Sequence, residues 1–120
     1  MHYGHEVLDD LRPQTRELRQ LIPDVYKGFG ALHSAAFADG ALDSKMKELI
    51  ALAIAVSTQC DGCIASHARA AVKQGATLEE AADAIGVTIL MGGGPASIYA
   101  PRAYAAFVEF YEQIHSAPDA

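Results

Sequence analysis

Cys60 and Cys63 are the two cysteines of this chain, and His67 follows the second by four positions. Residues three and four apart lie over one another on a helix, so if Cys60 begins one, the three side chains share a face. Two thiols and an imidazole then point the same way. A thiol reacts as its thiolate, and three effects available here lower a cysteine pKa: a helix N-terminus, a nearby imidazole, and a second thiol that can hydrogen-bond to the sulfur. Cys60 is the better placed for the dipole, and the four-residue spacing puts Cys63 nearer the ring. The pair can close one disulfide across a helical turn. Peroxide could oxidise one thiolate to a sulfenic acid, which the other sulfur would resolve.

Glu48 is the fourth candidate. It stands before a separate apolar run, Leu49 to Val56, and antiparallel packing of the two segments would bring its carboxylate to the same face. There it would orient His67 and stabilise its charged form, giving a carboxylate, imidazole and thiol relay. Alternatively it is a solvated first-turn residue that favours the helix N-terminus electrostatically. The spacing alone leaves both readings open. A structural zinc site would need four ligands and finds only Cys60, Cys63 and His67. A thioredoxin fold would need strands around the motif, where helical runs stand instead. The polar Asp61-Gly62 insert argues against a sealed cysteine pair. His33 reads as a packed or rim histidine rather than a catalytic one, and His2 and His5 as solvated side chains.

Composition narrows the function classes. At 120 residues, with 51% hydrophobic and 20% charged side chains, the chain is long enough for one domain with its own core. Much of the apolar share is alanine, which favours closely packed helices. A net charge of −6 without a basic stripe argues against nucleic acid. The charged first twenty residues contain no apolar signal region, and Leu49 to Val56 is too short to span a bilayer, so a cytoplasmic protein without a membrane partner is expected. In a reducing compartment a close cysteine pair is more often catalytic or metal-binding than a structural bridge.

The elements that must position these residues read as five or six helices with no strand pattern. Residues 1 to 13 read as a loosely ordered arm or short helix limited by Pro13. Thr15 to Ile22 can form a short amphipathic helix with Leu18, Leu21 and Ile22 as its stripe, stopped by Pro23. Val25, Phe29, Leu32, Ala36 and Phe37 recur at helical spacing as far as Asp39-Gly40. Asp43 or Ser44 should cap a third helix, apolar nearly all round after Glu48 and so either central or a subunit contact. A fourth carries the cysteines and ends near Lys73 and Gly75. Thr77-Leu-Glu-Glu80 predicts a capping box opening a fifth. Met91-Gly-Gly-Gly-Pro95 predicts a tight helix-to-helix connection more strongly than a phosphate loop. A last helix, from Pro95 or Pro101 to about Ile114, turns Tyr104, Phe107, Val108 and Tyr111 one way; His115 and the residues after it read as a frayed end.

With Glu48, eleven intervening residues, Cys60-Asp-Gly-Cys63, three residues to His67, then Met91-Gly-Gly-Gly-Pro95 and Tyr99, the sequence resembles the AhpD-like alkyl hydroperoxidase branch of the carboxymuconolactone decarboxylase superfamily. The resemblance covers roughly residues 40 to 110. It implies an all-α domain assembling as homotrimers, or hexamers built from them, with the active site near subunit contacts. It also implies that Cys60 and Cys63 are the redox pair and that Glu48 and His67 are the proton relay. The expected activity is reduction of a hydroperoxide with no cofactor beyond the redox-active disulfide, recharged by an external dithiol or a lipoylated protein. Some relatives have a histidine immediately before the second cysteine, where this chain has Gly62. Decarboxylases of the superfamily lack the cysteine pair, so lactone decarboxylation is the weaker alternative, beside a redox-sensing oligomerisation module without turnover.

Overall fold

The computed structural model describes residues 2–116, and among these the backbone forms six helices: α1 (His5–Leu21), α2 (Pro23–Phe37), α3 (Ser44–Ser57), α4 (Asp61–Lys73), α5 (Leu78–Gly92) and α6 (Gly94–His115). The all-α expectation holds. Small side chains decide how the helices pack. Ala55, Ala65, Ala68, Ala81, Ala103 and Ala106 are buried, which lets α3, α4, α5 and α6 approach closely around Leu52, Val56, Ile64 and Phe107. Phe107 is fully buried, and truncating it to alanine would cost about 3–5 kcal/mol.

Local signals set the ends of these core helices. The Asp43 carboxylate accepts the Met46 N–H at 2.8 Å and opens α3. Gly75, at φ 91°, closes α4 with N–H bonds from Gly75 to Val72 and from Ala76 to Ala71. Thr77 and Glu80 form the predicted capping box at the start of α5. The glycine run is the expected tight connection, with Gly93 alone between α5 and α6 at φ 64°. A Cβ on Gly92 would stand 2.9 Å from that of Ala96, so the two helix ends meet where a side chain would not fit.

The first two helices depart from expectation. α1 runs from His5 through Pro13 rather than stopping there. Proline removes one intrahelical donor, and on a helix with no buried residue the freed carbonyl can meet water. Its N-terminus has no side-chain cap of its own; the Glu109 carboxylate of α6 accepts the His5 N–H at 2.7 Å instead. The predicted stripes of α1 and α2 are largely exposed, with Leu21 at 80% and Phe29 at 64%. α3 is central on one side only: Leu49, Leu52, Ala55 and Val56 are buried while Ile50 and Ile54 are exposed. The radius of gyration, 14.8 Å, exceeds the roughly 13.6 Å of a fully compact chain of this length because α1 and α2 sit outside the four-helix core. His115 closes α6 rather than fraying, and the expected loose end at residues 117–120 lies outside the described residues.

Candidate functional site

Cys60 sits at the junction of two helices. α3 ends in a turn where the Gln59 N–H bonds to Val56 and the Cys60 N–H to Ala55, each at 3.1 Å, with Gln59 at φ 56°. The next residue boundary is already α4. Cys60 is its N-cap, and its Sγ accepts the Cys63 N–H at 3.2 Å. The helix thus starts one residue later than anticipated. Cys60 and Cys63 are joined as a disulfide across this first turn, their Cα atoms 5.2 Å apart. Cys60 is half-buried and Cys63 exposed.

The short link folds α4 back along α3 and brings Glu48 to His67. Glu48 Oε2 lies 2.8 Å from His67 Nδ1. Glu48 is only 5% exposed, which overturns the reading of a solvated first-turn carboxylate. Burying a carboxylate is costly unless it is paired, and the imidazole is its partner. Where Glu48 is the acceptor of this bond, Nδ1 is the donor and Nε2 is the ring nitrogen not engaged by the carboxylate. His67 lies one turn beyond Cys63 on the same helix face.

Sequence reasoning missed the side chain that holds the ring. Phe37, from the end of α2, stacks on His67 with centroids 5.4 Å apart, and the His33 ring lies tilted against Phe37 at 4.6 Å. His33 is exposed, an aromatic rim residue as expected, but one that stands 6.2 Å from His67 and parallel to it. The loop after α2 fixes Phe37. The Ser44 hydroxyl donates to the Phe37 carbonyl at 2.8 Å, and Lys47 Nζ donates to that of Ala38 at 2.6 Å. Asp39 accepts the Ser44 N–H at 2.7 Å, and that bond holds its carboxyl below the usual value. The spacing of His33 and Phe37 places them on one helix face, but nothing in a single sequence connects that face to α4.

Gly62 also has a structural partner. A Cβ there would stand 3.0 Å from Leu11 Cδ1, so α1 rests against the start of α4. Among the described residues no group of three or more His, Cys, Asp or Glu side chains is arranged to hold a metal ion. No described helix is long and apolar enough to cross a membrane.

Fold and site define an all-helical domain with a disulfide at the start of one helix and a buried carboxylate–imidazole pair beside it. The carboxymuconolactone decarboxylase family profile matches residues 23–106, and the chain belongs to that family. It is similar to a carboxymuconolactone decarboxylase family protein of Legionella pneumophila, 45% identical, with a TM-score of 0.86 over 89% of this chain and 96% of that one. A family member from Thermotoga maritima, for which an antioxidative role has been suggested, is 33% identical with a TM-score of 0.70 over 77% of this chain and 95% of that one. An uncharacterized protein of Cupriavidus necator is 39% identical over 100 residues, 83% of this chain and 88% of that protein.

Proposed function

We propose that the chain is a thiol-disulfide oxidoreductase of the AhpD-like kind that reduces organic hydroperoxides. The observation that carries this is a disulfide at a helix start, one turn from a histidine tied to a buried glutamate. The antioxidative role suggested for the Thermotoga relative supports it.

In the reduced protein, His67 Nε2 takes the proton of the exposed Cys63 thiol, with Glu48 holding the ring in the tautomer this requires. The Cys63 thiolate attacks the distal peroxide oxygen. An S–O bond forms, the O–O bond breaks, and the alkoxide leaves as an alcohol with the proton from His67. The Cys60 sulfur then displaces the sulfenic oxygen as water and closes the disulfide. An external dithiol, such as a lipoyl group, attacks Cys63, and Cys60 leaves as a thiolate facing the Cys63 N–H at the N-terminus of α4. The reductant's second thiol frees Cys63. One hydroperoxide and one dithiol become one alcohol, one water and one cyclic disulfide.

The same reading has the chain assemble as a homotrimer or hexamer. Its support is apolar surface left uncovered in one copy, including Val25, Phe29 and Leu32 on α2 and Leu90 and Met91 on α5. Mass measured under native conditions tests the assembly. Peroxide-dependent oxidation of dihydrolipoamide tests the activity: turnover lost in both Cys60→Ser and Cys63→Ser supports it, and undiminished turnover in either rejects it.

A further inference from the structure

Beside the disulfide, on the neighbouring face of α4, lies a groove of about 520 Å³ between that helix and α1. Its cationic wall is Arg12, Arg16 and Arg19 of α1 with Arg69 of α4, and its apolar floor is Leu8 and Leu11. The chain holds nine lysines and arginines in all against a net charge of −6, so four arginines in one groove are a local concentration rather than a general basic character. Arg12, Arg16 and Arg19 follow one another at intervals of four and three, where like charges on a helix repel. Local acids only partly offset this. Asp9 pairs with Arg12 at 3.1 Å, and Arg19 lies over the Tyr26 ring at 5.2 Å. Arg16 and Arg69 have no carboxylate partner among the described residues.

The groove is also close to the sulfurs. Leu11 rests against Gly62, which pins α1 beside the start of α4. Ser66 lines the groove one turn from Cys63, about 4.5 Å along the axis, and Arg69 follows at about 9 Å. A groove of this volume is large enough to take a small molecule. Guanidinium forks match a carboxylate, and the leucines offer a surface for hydrocarbon.

We propose that this groove binds the carboxylate end of an amphiphilic acid, and that the hydroperoxide substrate is such an acid. Arg16 and Arg69 hold the carboxylate, Leu8 and Leu11 carry the chain, and the hydroperoxide carbon further along reaches Cys63. The substrate assignment rests on the peroxidase reading; binding of the acid does not.

The test uses the oxidised full chain, with decanoate as probe and decanol as its neutral counterpart, followed by titration calorimetry. Decanoate should saturate at one per chain. Arg16→Gln and Arg69→Gln should each weaken it about tenfold, while Lys73→Gln, an exposed change in the last turn of α4, leaves it unchanged. Decanol should bind more weakly and without dependence on the arginines. Circular dichroism on each variant confirms folding. Absent binding, or equal affinity in all variants, overturns the proposal. With the reduced protein, Arg16→Gln should raise KM about tenfold for a long-chain acid hydroperoxide and leave cumene hydroperoxide unaffected. Arginine-dependent binding without turnover would uphold the groove and sink the peroxidase reading. Turnover of both peroxides without arginine dependence would do the reverse. Arginine effects confined to the rate with an acidic protein reductant would make the groove a protein dock and overturn the proposal.

Discussion

Glu48 and His67 stand nineteen residues apart in sequence and 2.8 Å apart in space, one from each of two helices joined by a short turn. The contact ties the core to the site, because the carboxylate is buried while the ring is partly exposed, one helical turn from Cys63. Glu48→Gln keeps the size of the side chain and removes its charge. The amide can no longer hold the ring as firmly in the Nδ1–H tautomer. Turnover should fall about a hundredfold, the lower end of what acid–base assistance contributes, with helix content unchanged by circular dichroism. Activity within twofold of the parent would remove Glu48 from the mechanism.

The two sulfurs should fail differently. Cys63 is exposed and on the His67 face, whereas Cys60 caps α4. Reduced Cys60→Ser should therefore consume about one equivalent of peroxide per chain and stop at a trappable sulfenic acid. Cys63→Ser should consume almost none. Mass spectrometry after dimedone trapping reads the difference, and the opposite pattern would exchange the roles of the two cysteines.

Phe37 gives the ring its second constraint. Phe37→Leu keeps an apolar contact and loses the stacked face, an arrangement worth about 0.5–1.5 kcal/mol. kcat/KM should drop by up to about tenfold, while His33→Ala, on the exposed rim and farther from His67 than Phe37 is, should change it less than twofold. Equal losses in the two variants would mean that the aromatic rim acts as one unit.

Much of this was legible in the sequence, and the boundary has physical causes. Thr77 and Glu80, Asp43 and the glycine run are read correctly because caps and turns are decided within a few residues. The shared face of Cys60, Cys63 and His67 is likewise a matter of helical spacing. Spacing alone does not decide Glu48, because burial depends on which helix lies opposite. Phe37 is not legible for the same reason, since α2 meets His67 only in three dimensions. The stripes of Leu18, Leu21, Phe29 and Leu32 look like core positions in sequence, yet a single copy leaves them exposed. Periodicity reports an apolar face and not what covers it. Pro13 misled because a helix on the surface tolerates a missing bond that a buried one would not.

Acid should loosen the start of α3 through two carboxyls, Glu80 of α5 bound to Lys45 and Asp39 of the α2–α3 loop bound to Ser44. The Glu80 carboxyl is lowered first by its bond to Lys45 and then by the Thr77 N–H, and the Asp39 carboxyl by the Ser44 N–H. Each folded value lies below the unfolded one, so the unfolded chain binds more protons between the two and stability rises with pH there. The contribution is complete above the unfolded carboxyl value and lost as pH falls through the folded one. Both groups are exposed, so salt should mute the effect. Urea midpoints measured from neutral pH downward should fall in the carboxylate range, and Glu80→Gln should flatten that slope. An unchanged slope in Glu80→Gln would assign the acid sensitivity elsewhere.

Gln59 is the residue whose backbone sets the angle at which Cys60 enters α4. At φ 56° it occupies the left-handed region that closes α3, a conformation costing a residue with a Cβ about 1–2 kcal/mol. Glycine carries no such cost, although it loses more chain entropy on folding. The balance favours Gln59→Gly by about 1 kcal/mol or less, a rise in Tm of at most a few degrees. The N–H bonds of residues 59 and 60 to Val56 and Ala55 do not involve the side chain, so the disulfide and its turnover should be retained. Gln59→Val makes the opposite demand, because a β-branched residue is the least tolerant of positive φ. It should lower Tm and also slow turnover, since a shifted turn misplaces the Cys60 Sγ that accepts the Cys63 N–H. Thermal melts and peroxide assays on the two variants separate the effects: stability should order as glycine above glutamine above valine, and a valine variant as stable as the parent would show that the turn is not under strain.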